Sequence, residues 1–485
     1  MKIAVIGSFL IAILHSILFY GQKLGISVFL FCLALGFFIL YLLDKNNKIK
    51  NKKALILCVP IILISATYFI FNNTFFYVAN IIALIILFTL MVILAVFEKT
   101  SIGLILNRAV YLLLGPIEFL EEAIGSIIET IENFFHKKEV SKEKNEKLRK
   151  IIIGILIAIP ILIVVLMLLS SADSIFSSEL KEVISTLFRL EIFEKQTYIN
   201  LFFRIIIILM IAVYLIALLY NVLEDNFTEK EVGEKKNWTI DRTIGNTILT
   251  ILNLVYLVFC YIQISVLFMK TGNMGDFDYA SYARQGFFQL MAVSVINLVI
   301  ILITSKRNEI NKKLNYTKVM NLCLSMFTLI ILFSSFYRMY LYEQEYGYTF
   351  LRLMVYVALI TEAILIIPTV MYILDMKINL TKTYFVVIII MYIIVNYMNI
   401  DNVIAKRNIN RYFEDTSGEY ELDIEYLGTL GIDAAGEIKR LENEENKMIR
   451  KQVEFYLNQV ESEVKDINFQ NFNINRLLVK RMLEE

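Results

Sequence analysis

Leu353 to Leu374 reads LMVYVALITEAILIIPTVMYIL, 22 residues in which Glu362 is the only charge. At 1.5 Å per residue a helix of this length covers the roughly 30 Å hydrocarbon core of a bilayer. A carboxylate near its middle is expensive, so it needs a partner or a task. The rest of the chain has the same character: 58% of its 485 residues are hydrophobic and the mean hydropathy is +0.65, whereas a soluble domain is about 45 to 50% apolar.

Eleven stretches are long and apolar enough to span: Ile3 to Tyr20, Leu24 to Leu43, Ala54 to Phe71, Phe75 to Phe97, Ile151 to Leu169, Ile199 to Asn221, Thr247 to Met269, Gln285 to Thr304, Val319 to Phe336, Leu353 to Leu374 and Thr383 to Ile400. Unbroken runs of this length satisfy their backbone in lipid only as helices. The expected fold is therefore all-α, a polytopic transmembrane helix bundle of about 11 spans. Lys2 precedes the first run and no small-residue cleavage site follows it, so it reads as a retained span. Cys32, Cys58, Cys260 and Cys323 fall inside spans, where thiols serve as small apolar packing groups.

Orientation follows from lysine and arginine, which stay on the cytoplasmic side. With the N-terminus in the cytoplasm, 26 of them fall in inner segments and 8 in the short outer loops. An odd number of spans then places the C-terminus outside. The chain divides into a four-span part (1–97), a cytoplasmic linker (98–150), a seven-span core (151–400) and an extracytoplasmic helical tail (401–485). In the tail Leu422, Tyr426, Leu427, Leu430, Ile438, Leu441, Val453, Tyr456, Leu457, Val460 and Val464 recur at helical spacing. In the linker, Gly115 to Phe135 has Ile117, Leu120, Ile124, Ile127, Ile128, Ile131, Phe134 and Phe135 on one face and glutamates elsewhere, the pattern of a helix lying in the membrane interface. Lys137 to Lys150 reads as an ordinary positive-inside stretch.

Within the spans only Arg204 and Glu362 are charged. Arg204 lies about five residues from the outer end of its span, roughly 8 Å deep, and Glu362 about nine residues, roughly 14 Å. An intramembrane ion pair between them would relieve the cost of burying each alone. Its readings are a proton relay or anion cavity, or a structural lock between helices. His15 reads as a hydrogen-bonded imidazole on an apolar helix. Further out, Arg284, Arg338, Glu343, Glu345 and Arg352 gather at the outer ends of three spans, where arginine forks grip phosphate or carboxylate with two hydrogen bonds. Tyrosines at this depth also suit an aromatic belt. Asp276 and Asp278 are too sparse to define a metal site, and no phosphate loop, dinucleotide turn, zincin motif or nucleophile elbow occurs. No metal, cofactor or nucleic acid is expected.

Tyr282-Ala283-Arg284-Gln285-Gly286-Phe287, Tyr342 to Arg352 (YEQEYGYTFLR), Asn399-Ile400-Asp401 with Ile404-Ala405 and Asn408-Ile409, and Leu422 to Leu427 with Asp433-Ala434 carry a resemblance. The chain resembles a widespread bacterial family of multi-pass membrane proteins known only as a domain of unknown function, over roughly Ser170 to Asp433. The resemblance implies no activity. It implies that the motifs cluster on the outer face.

The function expected is transporter-like or ligand-sensing, in a bacterial cytoplasmic membrane, with the five outer residues holding a small anion or lipid headgroup above Arg204 and Glu362. Two alternatives stand beside it. One is an enzyme acting on lipid-linked substrates at the outer leaflet with Asp276 or Glu343 as base or metal ligand. The other is a non-catalytic subunit presenting 401–485 to a protein partner.

Overall fold

A computed structural model of the chain describes residues 2–97, 102–135, 196–223, 242–269, 287–305, 315–374, 376–415 and 420–485. The span expected at Ile151 to Leu169 and the basic stretch Lys137 to Lys150 lie outside the described residues. All secondary structure within them is helical. The longer helices are α1 Lys2–Phe19, α2 Ile26–Lys45, α3 Cys58–Ile70, α4 Thr74–Val96, α5 Ile102–Leu114, α6 Leu120–Phe135, α7 Gln196–Leu223, α8 Arg242–Met269, α9 Phe287–Ser305, α10 Tyr316–Tyr346, α11 Phe350–Ile373, α12 Leu380–Tyr397, α13 Ile400–Glu414, α14 Lys447–Val464 and α15 Ile474–Glu484. Ten helices among the described residues are long and apolar enough to cross a membrane, one of them formed by α3 with the 3-10 turn Lys52–Leu57 before it. They correspond one to one with the other ten runs of the sequence. The chain is a multi-pass membrane protein.

The helices form two compact units. The first comprises Met1–Ile70, Tyr77–Gly233 and Ile467–Asn473, and so includes α7, which the sequence grouped with the later spans. Here α1 lies along α7 and α2, and α2 along α3. Part of the expected apolar face is covered: Ala123, Ile124, Ile127 and Ile128 pack with Val5 and Phe9 of α1 and Val213, Ile216 and Ala217 of α7, while Ile117, ahead of α6, is exposed. The face that hydropathy alone would give to the membrane interface is thus used to join two spans.

A segment of the tail is also built into this unit. The first N–H groups of a helix have no partner within it. At α2 they are met by the tail, Ile26 N donating to Phe472 O at 3.0 Å and Ser27 N to Gln470 O at 3.2 Å. Asn473 Nδ2 donates to Tyr68 O at 2.9 Å. Gly25 permits this approach, because a Cβ there would lie 2.5 Å from the Asn471 carbonyl carbon.

The second unit comprises Phe71–Phe76, Glu234–Asp466 and Ile474–Glu485. α9, α10, α11 and α12 pack in succession, and α8 lies along α10. Asn315 and Asn379 start α10 and α12 by accepting from the N–H of Lys318 and Lys382. α10 stops at Gly347, whose φ of +73° belongs to the left-handed region. Three residues, 347–349, then return the chain as α11, so α10 and α11 run antiparallel side by side. The tail folds as the expected small helical domain: Ile404, Leu427, Ile438, Leu441, Val453, Tyr456 and Val460 share one core. That core is extended by Phe76, Tyr348, Phe350 and Leu353 from the ends of the spans, as a domain near the lower size limit requires.

Gly25→Ala should force the segment 467–473 off α2, at an overpacking cost of about 1 to 3 kcal/mol. The readouts are a lower Tm of the detergent-solubilised protein and faster protease clipping within 467–473. Unchanged Tm and clipping would mean that this segment shifts aside freely.

Candidate functional site

The polar residues of the second unit fall into three assemblies. The first lies within the spans. α9 presents Ser294, Asn297, Thr304 and Ser305 at helical spacing, and α10 presents Asn321, Ser325 and Thr328. Tyr256 of α8 donates its hydroxyl to Asn297 Oδ1 at 2.8 Å, Asn297 Nδ2 donates to Thr328 Oγ1 at 3.0 Å, and Thr328 donates on to Leu324 O at 2.7 Å. Lower on the same faces Thr304 Oγ1 donates to Asn321 Oδ1 at 2.9 Å, and Asn321 Nδ2 to Ser305 Oγ at 3.3 Å. Small polar residues hold spans together in this way where no hydrophobic drive exists.

Glu362 belongs to this seam and differs from it in kind. It is 7% exposed, and its Oε2 is hydrogen-bonded to Ser294 Oγ, one turn of α9 from Asn297. Among the described residues no basic side chain forms an ion pair with it. Arg204 lies in the other unit, on α7, where its Nε donates to Ser16 Oγ of α1 at 2.6 Å. Arg204 and Glu362, the expected ion pair, belong to different units, and each has a serine partner inside its own.

The second assembly closes the C-terminus of α10. The last carbonyls of a helix lack helical donors, and two arginines supply them. Arg352 Nη1 donates to Tyr346 O and Gly347 O, with its guanidinium 4.3 Å from the Tyr342 ring centre. Arg411 of α13 donates to Glu343 O and Gln344 O. Glu343 is 4% exposed, and its carboxylate accepts from the Tyr356 hydroxyl at 3.1 Å and from Gln344. Burial, and then the Glu343 carboxylate, push the Tyr348 hydroxyl up, which keeps it a donor to Glu343. Asn408 pairs with the Tyr348 backbone in both directions, at 2.7 and 2.8 Å. A Cβ at Gly347 would stand 2.8 Å from Asn408 Oδ1. Of the five outer residues read from the sequence, Glu343 and Arg352 therefore share one turn, and half-buried Arg338 lies on the same helix. Glu345 is exposed. Arg284 lies outside the described residues, as do Asp276 and Asp278.

The third assembly escaped the sequence reading. Asp401 and Asp433, both buried, grip one dipeptide between α3 and α4. Asp433 accepts from Asn72 N at 2.8 Å, and Asp401 from Asn73 Nδ2 at 2.9 Å and Gly431 N at 3.2 Å. Arg476 of α15 donates to Asn72 Oδ1 at 3.0 Å, and Tyr456 to Gly431 O at 2.8 Å. Burial raises both carboxyls. For Asp433 it outweighs the Asn72 N–H and Arg476, and with Asp401 beside it the value is pushed up to about 6.

Among the described residues no three His, Cys, Asp or Glu side chains gather as a metal site needs. A groove of about 430 Å³ at the other end of α10 is lined by Thr243, Asn246, Thr247, Thr250, Ile251 and Tyr316. The hydroxyls of Thr247 and Thr250 are spent on the α8 backbone, that of Thr250 also meeting Tyr316.

A family model described as a domain of unknown function (DUF4153) matches residues 58–441. The chain belongs to that family. The DUF4153 match runs from the start of α3 to Leu441 and so takes in Glu362, the α10 C-terminus, Asp401 and Asp433, while α14 and α15 lie beyond it. No curated protein and no solved structure matches the chain.

The raised Asp433 carboxyl makes stability depend on pH with a definite sign. The folded chain holds this proton more tightly than the unfolded chain, whose aspartates titrate near 3.9. The contribution is therefore fully present below that value and lost as pH rises through about 6, an effect of at most about 3 kcal/mol. Tm of the solubilised protein should fall between about pH 5 and pH 7, and Asp433→Asn, which keeps the acceptor for Asn72 N, should flatten that slope. An equal slope in the variant would assign it to other groups.

Proposed function

We propose that this multi-pass membrane protein is transporter-like and that Glu362 is its ion-handling group. The observation supporting this is a carboxyl deep in α11 whose partner is a serine. Helix cohesion does not explain it, since α9 and α10 achieve cohesion with neutral amides and hydroxyls, and a lone carboxyl in a span is costly to retain. Pro368, six residues on in α11, removes the helical donor of the Ile364 carbonyl.

In this reading the ligand is a small anion or a lipid headgroup, admitted at the end of the bundle where Arg338, Glu343, Glu345 and Arg352 lie, with Arg284 joining them on the sequence reading alone. That end faces outward, the N-terminus is cytoplasmic and the tail is extracytoplasmic, in keeping with 26 inner against 8 outer basic residues. The membrane is a bacterial cytoplasmic membrane, and 401–485 is available to a protein partner.

Two experiments test this. Alkaline phosphatase fused after Glu485 should be active and fused after Lys312 inactive, and the reverse pattern would overturn the orientation. Proteoliposomes carrying the full chain should accumulate inorganic phosphate, glycerol phosphate or a short carboxylate above empty vesicles. Glu362→Gln should reduce that accumulation at least tenfold at equal protein abundance. Equal accumulation in the variant would dismiss Glu362, and none in the wild type would dismiss this ligand class.

A further inference from the structure

We infer that Glu362 is a proton-binding site, held as a neutral carboxyl that donates to Ser294 and is released through rotation of that one hydroxyl. The inference rests on Glu362 being the ion-handling group, and it names the ion.

The argument is a count of hydrogens. Ser294 Oγ lies in hydrogen-bond contact with two oxygens, Met291 O one turn back at 2.7 Å and Glu362 Oε2. A serine hydroxyl has one hydrogen to donate. Bonding back to the preceding turn is its ordinary use inside a helix. With that hydrogen on Met291 O, the contact to Glu362 is a hydrogen bond only if the carboxyl supplies the proton. The chain of donors is then Glu362 O–H to Ser294 Oγ–H to Met291 O, with every hydrogen used once.

The surroundings agree with a neutral group, since a charged one would need compensation in this medium. Of the helices against α11, α9 has no titratable side chain. α10 has none charged between Lys318 and Arg338, where Cys323 and Tyr337 are its titratable groups. α12 brings exposed Lys382 in its first turn, and Tyr384, Tyr392 and Tyr397, of which Tyr384 is bonded to Thr369. α13, with Asp401, Lys406, Arg407, Arg411, Tyr412 and Glu414, belongs to the core that takes in Phe350, Leu353 and Val357 of the first turns of α11. α8 contributes Tyr256, committed to Asn297. α11 itself carries Arg352 on the α10 carbonyls, Tyr356 on Glu343, and Tyr372 near its far end.

Release is balanced by the same serine. When the carboxyl O–H bond breaks and the proton passes to water, the Ser294 hydroxyl turns from Met291 O to the new carboxylate. Met291 O retains the helical N–H of Val295, so no backbone group is orphaned. The single hydroxyl thus serves the protonated form as acceptor and the ionised form as donor, and a divalent cation, which takes six or more oxygens, finds no such set here.

The test is infrared difference spectroscopy of the full chain in lipid, wild type against Glu362→Gln. Expected is a protonated-carboxyl C=O band at pH 7 that is absent from the variant, vanishes at alkaline pH and shifts in Ser294→Ala. A carboxylate band alone at pH 7 would overturn the inference. Should Glu362→Gln not fold, mass spectrometry of wild type treated with dicyclohexylcarbodiimide, which adds to protonated carboxyls in apolar surroundings, decides the matter. Labelling at Glu362 that falls with rising pH supports the inference, and none at pH 7 overturns it. A protonated band without phosphate or carboxylate accumulation would retire the transport reading and keep this one, while accumulation with an ionised Glu362 would do the reverse.

Discussion

The end of α10 is the constraint on which the second unit depends. A helix that stops leaves its last carbonyls short of donors; here Glu343 O keeps the N–H of Gly347, and Gln344, Tyr346 and Gly347 present the carbonyls beyond it. Further donors come from side chains on two later helices, α11 and α13. Arg352 lies one turn into α11 and fixes the return of the chain. Arg411 lies on α13 and ties the tail to the same turn. Positive charge at a helix C-terminus is favourable in itself, so one pair of arginines serves hydrogen bonding, electrostatics and docking together. These bonds commit Nη1 of Arg352 to the backbone, and a ligand at this end would meet its remaining donors.

From that anchor the tail acquires its core. Asn408 reads the backbone of Tyr348, and Ile404, Ile409 and Leu427 then pack against Tyr348, Phe350 and Phe76. The clamp of Asp401 and Asp433 on Asn72 and Asn73 is the second attachment, and its energetics run the other way. Two carboxyls are taken out of water to hold one dipeptide, with Arg476 on the Asn72 side chain as the nearby cation. Burial therefore wins over the hydrogen bonds at Asp433, which is why its proton is held above the usual carboxylate range.

Hydropathy made the spans legible because lipid admits so few backbone solutions. Helical spacing likewise picked out the tail core, Val453, Tyr456, Leu457, Val460 and Val464 among them. What stayed hidden were partners that carry no charge and lie far along the chain. Ser16 and Ser294 look like ordinary small residues of apolar runs, so charge matching singled out only Arg204 and Glu362. Asn72 and Asn73 look like a turn between spans, and nothing local links them to Asp433 or Arg476, roughly four hundred residues on. The amphipathic pattern of α6 was read correctly as one apolar face, but periodicity does not say whether lipid or another helix covers that face.

Glu362 and Asp433 are two buried carboxyls with opposite provisions. Asp433 accepts a backbone N–H, has Arg476 nearby and sits where a loop must be held; deleting its charge while keeping its shape should leave the fold intact. Glu362 has a hydroxyl that accepts from its protonated form and, once turned from Met291 O, donates to its ionised form, and among the described residues no N–H donor is fixed on it. A group built only for cohesion gains nothing from that arrangement, since an amide such as Asn297 makes firmer, directed bonds on the same face of α9. Serving both forms suits a site that releases a proton, as inferred above for Glu362, and Ser294 provides for it with a single hydrogen.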